Sequence, residues 1–310
     1  METHGDRLKG IRSLALLLTA LTFVLVLVSA YIRLSGAGLG CSGWPDCYGH
    51  ILAGGPHLHT GAVRIIHRTA ASAALLLGFM VAWRCLRPQP IQPVARYATL
   101  LVALMILLTF VGLWSSDPQR VWTSFLNMLG GVALVALSWR MVLAAGTDST
   151  RAKSPSCVFL PHAGLAALAL AIALGALIGA RYAAISCTSV PACGDVWWPA
   201  VEGWHALNPF ATVATPAAPG EAGGVTLHLL HRACAVAALL LLGMAGLQAL
   251  ANAATRSTGA MLLVLLVIEF ALGSLTVVGG FSLWLAIGHS VCAAALLAVG
   301  MQLPAQAKAG

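Results

Sequence analysis

Long apolar stretches alternate with short polar segments along the whole chain. The apolar stretches approach the roughly 20 residues that an α-helix needs to cross a bilayer. A backbone in lipid must satisfy its own hydrogen bonds, so we interpret these stretches as helices. A barrel would show alternating segments of about ten residues, and the sequence has none. The eight predicted spans are Ser13–Ile32, Val63–Trp83, Tyr97–Trp114, Ser124–Leu143, His162–Ala180, Thr226–Leu250, Met261–Val278 and Leu283–Leu303.

The composition agrees with a membrane protein. Of the 310 residues, 59% are hydrophobic and 8% are charged, whereas a soluble domain carries about 25% charged residues. This excludes an ordinary soluble enzyme, a nucleic-acid-binding protein and a disordered chain. The net charge of +8 comes from basic residues that stand singly at the ends of apolar runs. The predicted fold class is an all-α polytopic membrane protein.

The basic residues also predict the orientation. Of 17 Lys and Arg residues, eleven lie at one set of span ends and six at the other. Cytoplasmic loops carry the excess of Lys and Arg, so both termini are predicted to be cytoplasmic. The larger set is Arg7, Lys9, Arg12, Arg84, Arg87, Arg96, Arg140, Arg151, Lys153, Arg256 and Lys308. The smaller, outer set is Arg33, Arg64, Arg68, Arg120, Arg181 and Arg232.

Two long outer loops share one cysteine pattern. Each of them, the first Cys loop (residues 33–60) and the second Cys loop (residues 181–225), contains a C-x5-C pair with a proline inside. The pairs are Cys41 with Cys47 and Cys187 with Cys193. Disulfides persist on the oxidising side of a membrane, so we predict that each pair closes a small loop over the mouth of its own bundle. Free thiols and a redox role are the alternatives.

The span after each Cys loop carries a His-Arg pair, His67-Arg68 in the second span and His231-Arg232 in the sixth. Each Cys loop also begins with an arginine, Arg33 or Arg181. The order of arginine, cysteine pair and His-Arg pair therefore occurs twice, which indicates an internal repeat. We expect two four-helix bundles, residues 1–150 and 151–310.

Three histidines lie in the outer third of even-numbered spans: His67, His231 and His289. Polar groups inside a membrane are costly and usually functional, and facing helices of a bundle can present two imidazoles to one haem iron. We predict that His231 and His289 do so; hydrogen bonding to a neighbouring helix is the alternative. His228 is a supporting partner, a rival ligand or a substrate-side group. His57 and His59 we interpret as part of a solvated loop.

Four outer arginines are candidate partners for haem propionates, because a guanidinium pairs well with carboxylates. They are Arg68, Arg232, Arg33 and Arg181. Snorkelling towards lipid headgroups is the alternative. Glu269, in the middle of the seventh span, should be neutral or paired; proton handling and a hydrogen bond to Ser or Thr both remain open.

The chain resembles the haem A synthase family over nearly its whole length. The stretches that carry the resemblance are Tyr31 to Cys41 with Trp44-Pro45 and Cys47 to Gly49, Ile66-His67-Arg68, Tyr182 to Cys187 with Pro191, Trp197-Trp198-Pro199, His228 to Arg232, and Gly288-His289. The resemblance implies two pseudosymmetric bundles and oxidation of the C8 methyl of haem O to the formyl of haem A, for cytochrome c oxidase. It also implies haem b between His231 and His289, and substrate haem O beside His67.

The same resemblance implies a bacterial inner membrane location and partners beyond the lipid bilayer: haem O, haem O synthase and the cytochrome oxidase assembly machinery. Homo-oligomerisation is left open, and no nucleic acid is expected.

The sequence departs from the family pattern in the first half. Arg64 stands where the family has Glu three residues before the histidine, and Asn127 stands at the place of a second histidine. Arg cannot accept a proton, and Asn is a poor iron ligand, so the catalytic residues stay unassigned. The alternative function is a family member that has lost catalysis and acts as a haem b-binding membrane cytochrome or assembly factor. A transporter built from repeats is a third alternative.

Overall fold

Eight long helices dominate the computed structural model, which describes residues 3–54, 61–115, 117–146 and 159–308. All eight are long and apolar enough to cross a membrane. They are α1 His4–Gly36, α2 Gly61–Leu86, α3 Val94–Leu113, α4 Val121–Ala145, α5 Phe159–Ala180, α6 Ala222–Leu250, α7 Arg256–Val278 and α8 Leu283–Gly300. Short 3-10 helices cover His50–Ala53, Ala184–Ser186 and Val201–Leu207, and a final short helix, α9, covers Gln302–Lys308. The described ranges contain no β-strand, so the predicted all-α class is confirmed.

Most of the long helices begin before the predicted spans, and a polar cap accounts for the extension at α1 and α6. The Thr3 side chain accepts a hydrogen bond from the Asp6 N–H and starts α1 at His4. The Glu221 carboxylate accepts from two backbone N–H groups and starts α6 at Ala222. Such caps satisfy donors that have no partner inside the helix. The last predicted span, in contrast, divides into α8 and α9 around Met301.

The helices pack as two closed rings. In the first ring α1 contacts α2, α2 contacts α3, α3 contacts α4 and α4 contacts α1. In the second ring the same order links α5, α6, α7 and α8. These contacts have the arrangement of the predicted two bundles. The division into domains at residues 150 and 151 stays a prediction, because this boundary lies outside the described residues, as do Arg151, Lys153, His57 and His59.

The two rings share a wall in which α1 and α4 pack against α5 and α8. Val26, Val135, Ala294 and Ala298 form a small apolar core within this wall. Separate cores fill each ring, one around Leu18 and one around Leu242. The wall therefore holds the two rings side by side.

The outward faces of the helices are apolar and exposed. Leu76 on α2 is 72% exposed and Val267 on α7 is 68% exposed. A surface of this extent and character does not face water in a soluble protein. These faces therefore lie against lipid, which makes the chain a multi-pass membrane protein.

Candidate functional site

The structure brings His231 and His289 together inside the second ring. His231 lies on α6 and His289 on α8, and their ring centroids are 6.1 Å apart. An imidazole nitrogen lies about 2 Å from a first-row metal, and its ring centre about 1.1 Å further, so two imidazoles on one metal have centroids about 6.2 Å apart. The observed separation thus fits two axial ligands on a single iron.

The Nδ1 atom of each ring faces an acceptor. His231 Nδ1 lies 2.8 Å from the Ala171 carbonyl oxygen on α5, and because a carbonyl only accepts, Nδ1 carries the proton. His289 Nδ1 lies 3.1 Å from Glu269 Oε1 on α7, without the alignment of a full hydrogen bond. In both rings Nε2 is left as the nitrogen for a metal, the usual arrangement around metal-binding histidines.

Glu269 is therefore paired, although not with the Ser or Thr that the sequence left open. Its side chain is 14% exposed, and Oε2 is buried without a hydrogen-bond partner. The sequence shows that Glu269 and His289 occupy neighbouring spans, but the rotation that turns them towards each other appears only in the fold.

Two glycines make room for the imidazole rings. A Cβ on Gly175 of α5 would lie 3.3 Å from His231 Cε1, and a Cβ on Gly273 of α7 would lie 3.0 Å from His289 Cε1. Both distances are shorter than ordinary van der Waals contact. Sequence analysis missed both glycines, since the chain contains 32 of them and no pattern distinguishes these two.

Arg232 ties the second Cys loop to α6. Its Nη1 donates to the carbonyl oxygens of Pro191 at 2.9 Å and Ala192 at 3.2 Å. Its Nη2 is buried without a partner. A buried charged donor is costly unless it is paired. A carboxylate bound at Nη2 would remove this cost.

Arg33 lies at the boundary between the two rings. Its Nε is buried without a partner, and its Nη1 would lie 2.8 Å from a Cβ on Gly179 of α5. Arg181, in contrast, donates to the Asn208 carbonyl oxygen at 3.4 Å. Arg33 and Arg232 thus each retain a buried free donor, as expected of a partner for a propionate.

His228 is buried, and its Nε2 contacts a backbone carbonyl oxygen and not a metal position. Its Nε2 lies 3.0 Å from the carbonyl oxygen of Ala183, in the segment that follows α5. The ring links α6 to this segment one helical turn before His231. Of the three roles left open, this contact favours the supporting one.

The first ring shows no comparable pair of histidines. His67 and Arg64 on α2 are half-buried, Arg68 is exposed, and Asn127 on α4 is half-buried. None of them makes a hydrogen bond or ion pair with another among the described residues, and His231–His289 is the one histidine ring pair there. The described residues also contain no group of three or more His, Cys, Asp or Glu that could hold a metal ion.

The predicted cysteine pairs are close together. The Cα atoms of Cys41 and Cys47 are 6.8 Å apart and those of Cys187 and Cys193 are 5.0 Å apart, and the sulfur atoms of each pair lie within bonding distance. Three other cysteines are unpaired: Cys85, Cys234 and Cys292. Cys157 lies outside the described residues.

The first Cys loop extends beyond its own bundle, which corrects the prediction that each loop covers one mouth. The Trp44 ring lies 6.4 Å from Phe281, at the α7–α8 turn, and the Tyr48 ring lies 6.3 Å from Tyr182. Tyr48 Oη also accepts a hydrogen bond from the Ala184 N–H at 3.2 Å. Apolar and aromatic side chains of the loop find more surface to bury on the second ring.

The second Cys loop reaches back towards the first ring. The Val213 N–H donates to the Gln119 carbonyl oxygen at 2.9 Å, just before α4. Burial raises the pKa of Tyr182 to about 12 and also raises the pKa of Tyr48. Both phenols are therefore neutral at physiological pH. The described parts of the two Cys loops thus contact each other's halves of the molecule.

The sequence matches the COX15-CtaA family, described as "Cytochrome oxidase assembly protein", over residues 12–62 and 118–301. The chain belongs to this family. The matched family segments include α1 from residue 12 onwards, both Cys loops over their whole length, and both site histidines. The segment between them, residues 63–117, contains Arg64 and His67.

Two curated relatives carry the name haem A synthase. The protein from Shewanella oneidensis is 27% identical over 299 residues, which cover 89% of this chain and 90% of that protein. The protein from Symbiobacterium thermophilum is 30% identical over 96 residues, which cover 31% of each. Family and relatives together associate this chain with haem A synthase-like function and haem-related chemistry.

Proposed function

We propose that the chain is a haem A synthase-type membrane oxidoreductase that holds haem b between His231 and His289. The observation that carries the proposal is the imidazole pair, with centroids 6.1 Å apart and each Nδ1 facing an acceptor. In both rings it is Nδ1 that faces the acceptor, so Nε2 is the nitrogen that would hold the iron.

The surrounding residues fit a haem. Its iron takes two axial imidazoles, and its two propionates need cationic partners. Arg232 Nη2 and Arg33 Nε are buried donors without partners, so each is suited to a propionate. When bound, haem b supplies a one-electron redox centre; the chain's own residues hold it, orient its edges and keep water away.

The proposed reaction converts the C8 methyl of haem O into the formyl of haem A. With water as the source of oxygen, this conversion releases four electrons and four protons from the substrate, and an external electron acceptor has to take up the electrons. We place haem O in the first ring beside His67. A nearby group that accepts protons would assist this step, and Arg64 is unable to do so.

The second candidate is a family member without catalysis, which binds haem b as a membrane cytochrome or an oxidase-assembly factor. Arg64 and Asn127 favour it, because both stand where the family pattern has groups with other chemistry. The family match is interrupted over residues 63–117, which include most of α2, with Arg64 and His67, and all of α3. The second ring retains its site in either case.

We further propose that the protein resides in a bacterial inner membrane, with both termini in the cytoplasm and the Cys loops on the outer side. The excess of Lys and Arg at the opposite end supports this orientation. The oxidising outer compartment would then keep the Cys41–Cys47 and Cys187–Cys193 pairs as disulfides. Haem O, haem O synthase and the oxidase assembly machinery are the expected partners.

Haem analysis distinguishes the two candidates. The chain is expressed with a haem O synthase in membranes that lack haem A, and the extracted haems are separated by HPLC. Haem A, or its hydroxymethyl intermediate, is expected from a catalyst. Haem b and haem O alone, together with a low-spin haem b spectrum of the purified protein, would contradict the synthase proposal and favour the cytochrome or assembly factor.

A further inference from the structure

Each imidazole of the pair is held by the helix that precedes its own in the chain. His231 of α6 lies against Ala171 and Gly175 of α5. His289 of α8 lies against Glu269 and Gly273 of α7. The acceptor and the glycine are four residues apart on both helices, so they occupy one helix face on successive turns.

The packing of the imidazole rings explains why positions 175 and 273 are glycine. A helical side chain points back towards the N-terminus and covers the turn before its own Cα. A Cβ at 175 would lie 3.3 Å from Cε1 and 3.4 Å from Nδ1 of His231, and a Cβ at 273 would lie 3.0 Å and 3.3 Å from the same atoms of His289. Because glycine has no side chain, the edge of the imidazole ring can reach the acceptor that lies four residues before the glycine. Gly243 on α6, in contrast, has nothing within 4 Å of its Cβ position.

The two acceptors differ in charge. His231 faces a backbone carbonyl, whereas His289 faces a carboxylate whose other oxygen is buried without a partner. A carboxylate on the outer nitrogen raises the basicity of a metal-binding imidazole. A more basic imidazole gives more electron density to the iron and stabilises its oxidised form, so it lowers the reduction potential of a haem.

We propose that Glu269 is a positioning residue that acts on the haem iron through His289. Gly175 and Gly273 give the two imidazole rings the space to reach their acceptors. This inference rests on the proposed haem site. The two axial ligands are unequal, and Glu269 sets the reduction potential of the haem lower than a carbonyl at the same place would. Ala171 and Gly175 fix His231 in orientation without adding charge.

The test uses Glu269→Gln, which keeps the shape of the side chain and removes its negative charge. The full-length protein is purified in detergent with its haem, and the midpoint potential is measured by a spectroscopic redox titration. We expect the variant to retain a low-spin haem b and its potential to rise by about 60 mV, a tenfold change in a one-electron equilibrium. Glu202→Gln, in an exposed 3-10 helix of the same half, is the matched control and should keep the wild-type potential.

The glycines are tested by haem content. Gly175→Ala and Gly273→Ala should purify with several-fold less haem per chain than Gly243→Ala, which has open space around its Cβ. Unchanged potential in Glu269→Gln with the spectrum retained would overturn the inference and leave the haem site standing. Wild-type protein without any low-spin haem b would overturn the proposed function itself, and the inference with it.

Discussion

At the scale of single residues, the two halves of the molecule differ in the side chains that surround their intramembrane histidines. His231 and His289 face each other, and each has an acceptor behind it. In the first half His67 has neither the carboxylate nor the second imidazole that the family pattern places near it. If haem O is oxidised beside His67, as proposed, the positive charge of Arg64 would oppose the positive charge that develops at the oxidised carbon.

The double substitution Arg64→Glu with Asn127→His tests whether these two residues limit catalysis. If they do, haem A formation in the coexpression assay should increase at least about tenfold, a change of about 1.4 kcal/mol in the barrier. The matched control is Arg64→Gln with Asn127→His, which removes the same positive charge and adds the same imidazole but supplies no side chain that readily accepts a proton. Equal haem A from both variants, or from the double variant and the wild type, would contradict this account.

The sequence singled out His231 and His289 because a repeated His-Arg pair and a third intramembrane histidine are rare in an apolar chain; their role as ligands stays a prediction. It did not predict the contact of Glu269 with His289. That contact depends on the rotation of α7 and α8 about their axes, which a nearly uniform apolar surface does not encode. The sequence also did not predict the roles of Gly175 and Gly273, since glycine in a membrane helix has many roles.

At the scale of the elements, the Cys loops interlock the two rings. Trp44 and Tyr48 of the first loop pack on Phe281 and Tyr182 beside the second ring. The end of the second loop hydrogen-bonds back to the turn before α4. The sequence located both loops and their cysteines, but loops lack the periodicity that would reveal where they pack.

Tyr48→Phe tests the interlocking. It removes the phenol oxygen that accepts from the Ala184 N–H and leaves that half-buried donor without this partner, at a cost of about 1 kcal/mol. We expect a lower thermal unfolding midpoint in detergent and faster proteolysis within the Cys loops. Tyr31→Phe is the control, because Tyr31 meets Trp284 only through its ring. Equal midpoints for the two variants would show that the phenol contact does not stabilise the loops.

The cysteine pairs make a separate prediction. Protein alkylated under denaturing conditions before reduction should show Cys41, Cys47, Cys187 and Cys193 unmodified, and Cys85, Cys234 and Cys292 alkylated. The reason is that only the first four lie in pairs at bonding distance. Peptide mass spectrometry reads both sets at once, and alkylation of all four loop cysteines would contradict the disulfides.

At the scale of the whole molecule, two similar rings share one wall and carry different sites. Eight apolar stretches were sufficient to predict the helices, although polar caps such as Thr3 and Glu221 extend them beyond the spans. The repeat predicted two rings, and the helix contacts have that arrangement. Under the proposed function, such a molecule would keep a redox haem in one ring while the other ring changed its chemistry or lost it.

The haem site of the second ring is the central claim, and the absorption spectrum of purified variants tests it most directly. Wild-type protein and His205→Ala, a change in an exposed 3-10 helix, should both show about one low-spin haem b per chain. His231→Ala and His289→Ala should each lose that low-spin spectrum, because either change removes one of the two axial ligands. An unchanged low-spin spectrum in either variant would contradict the account.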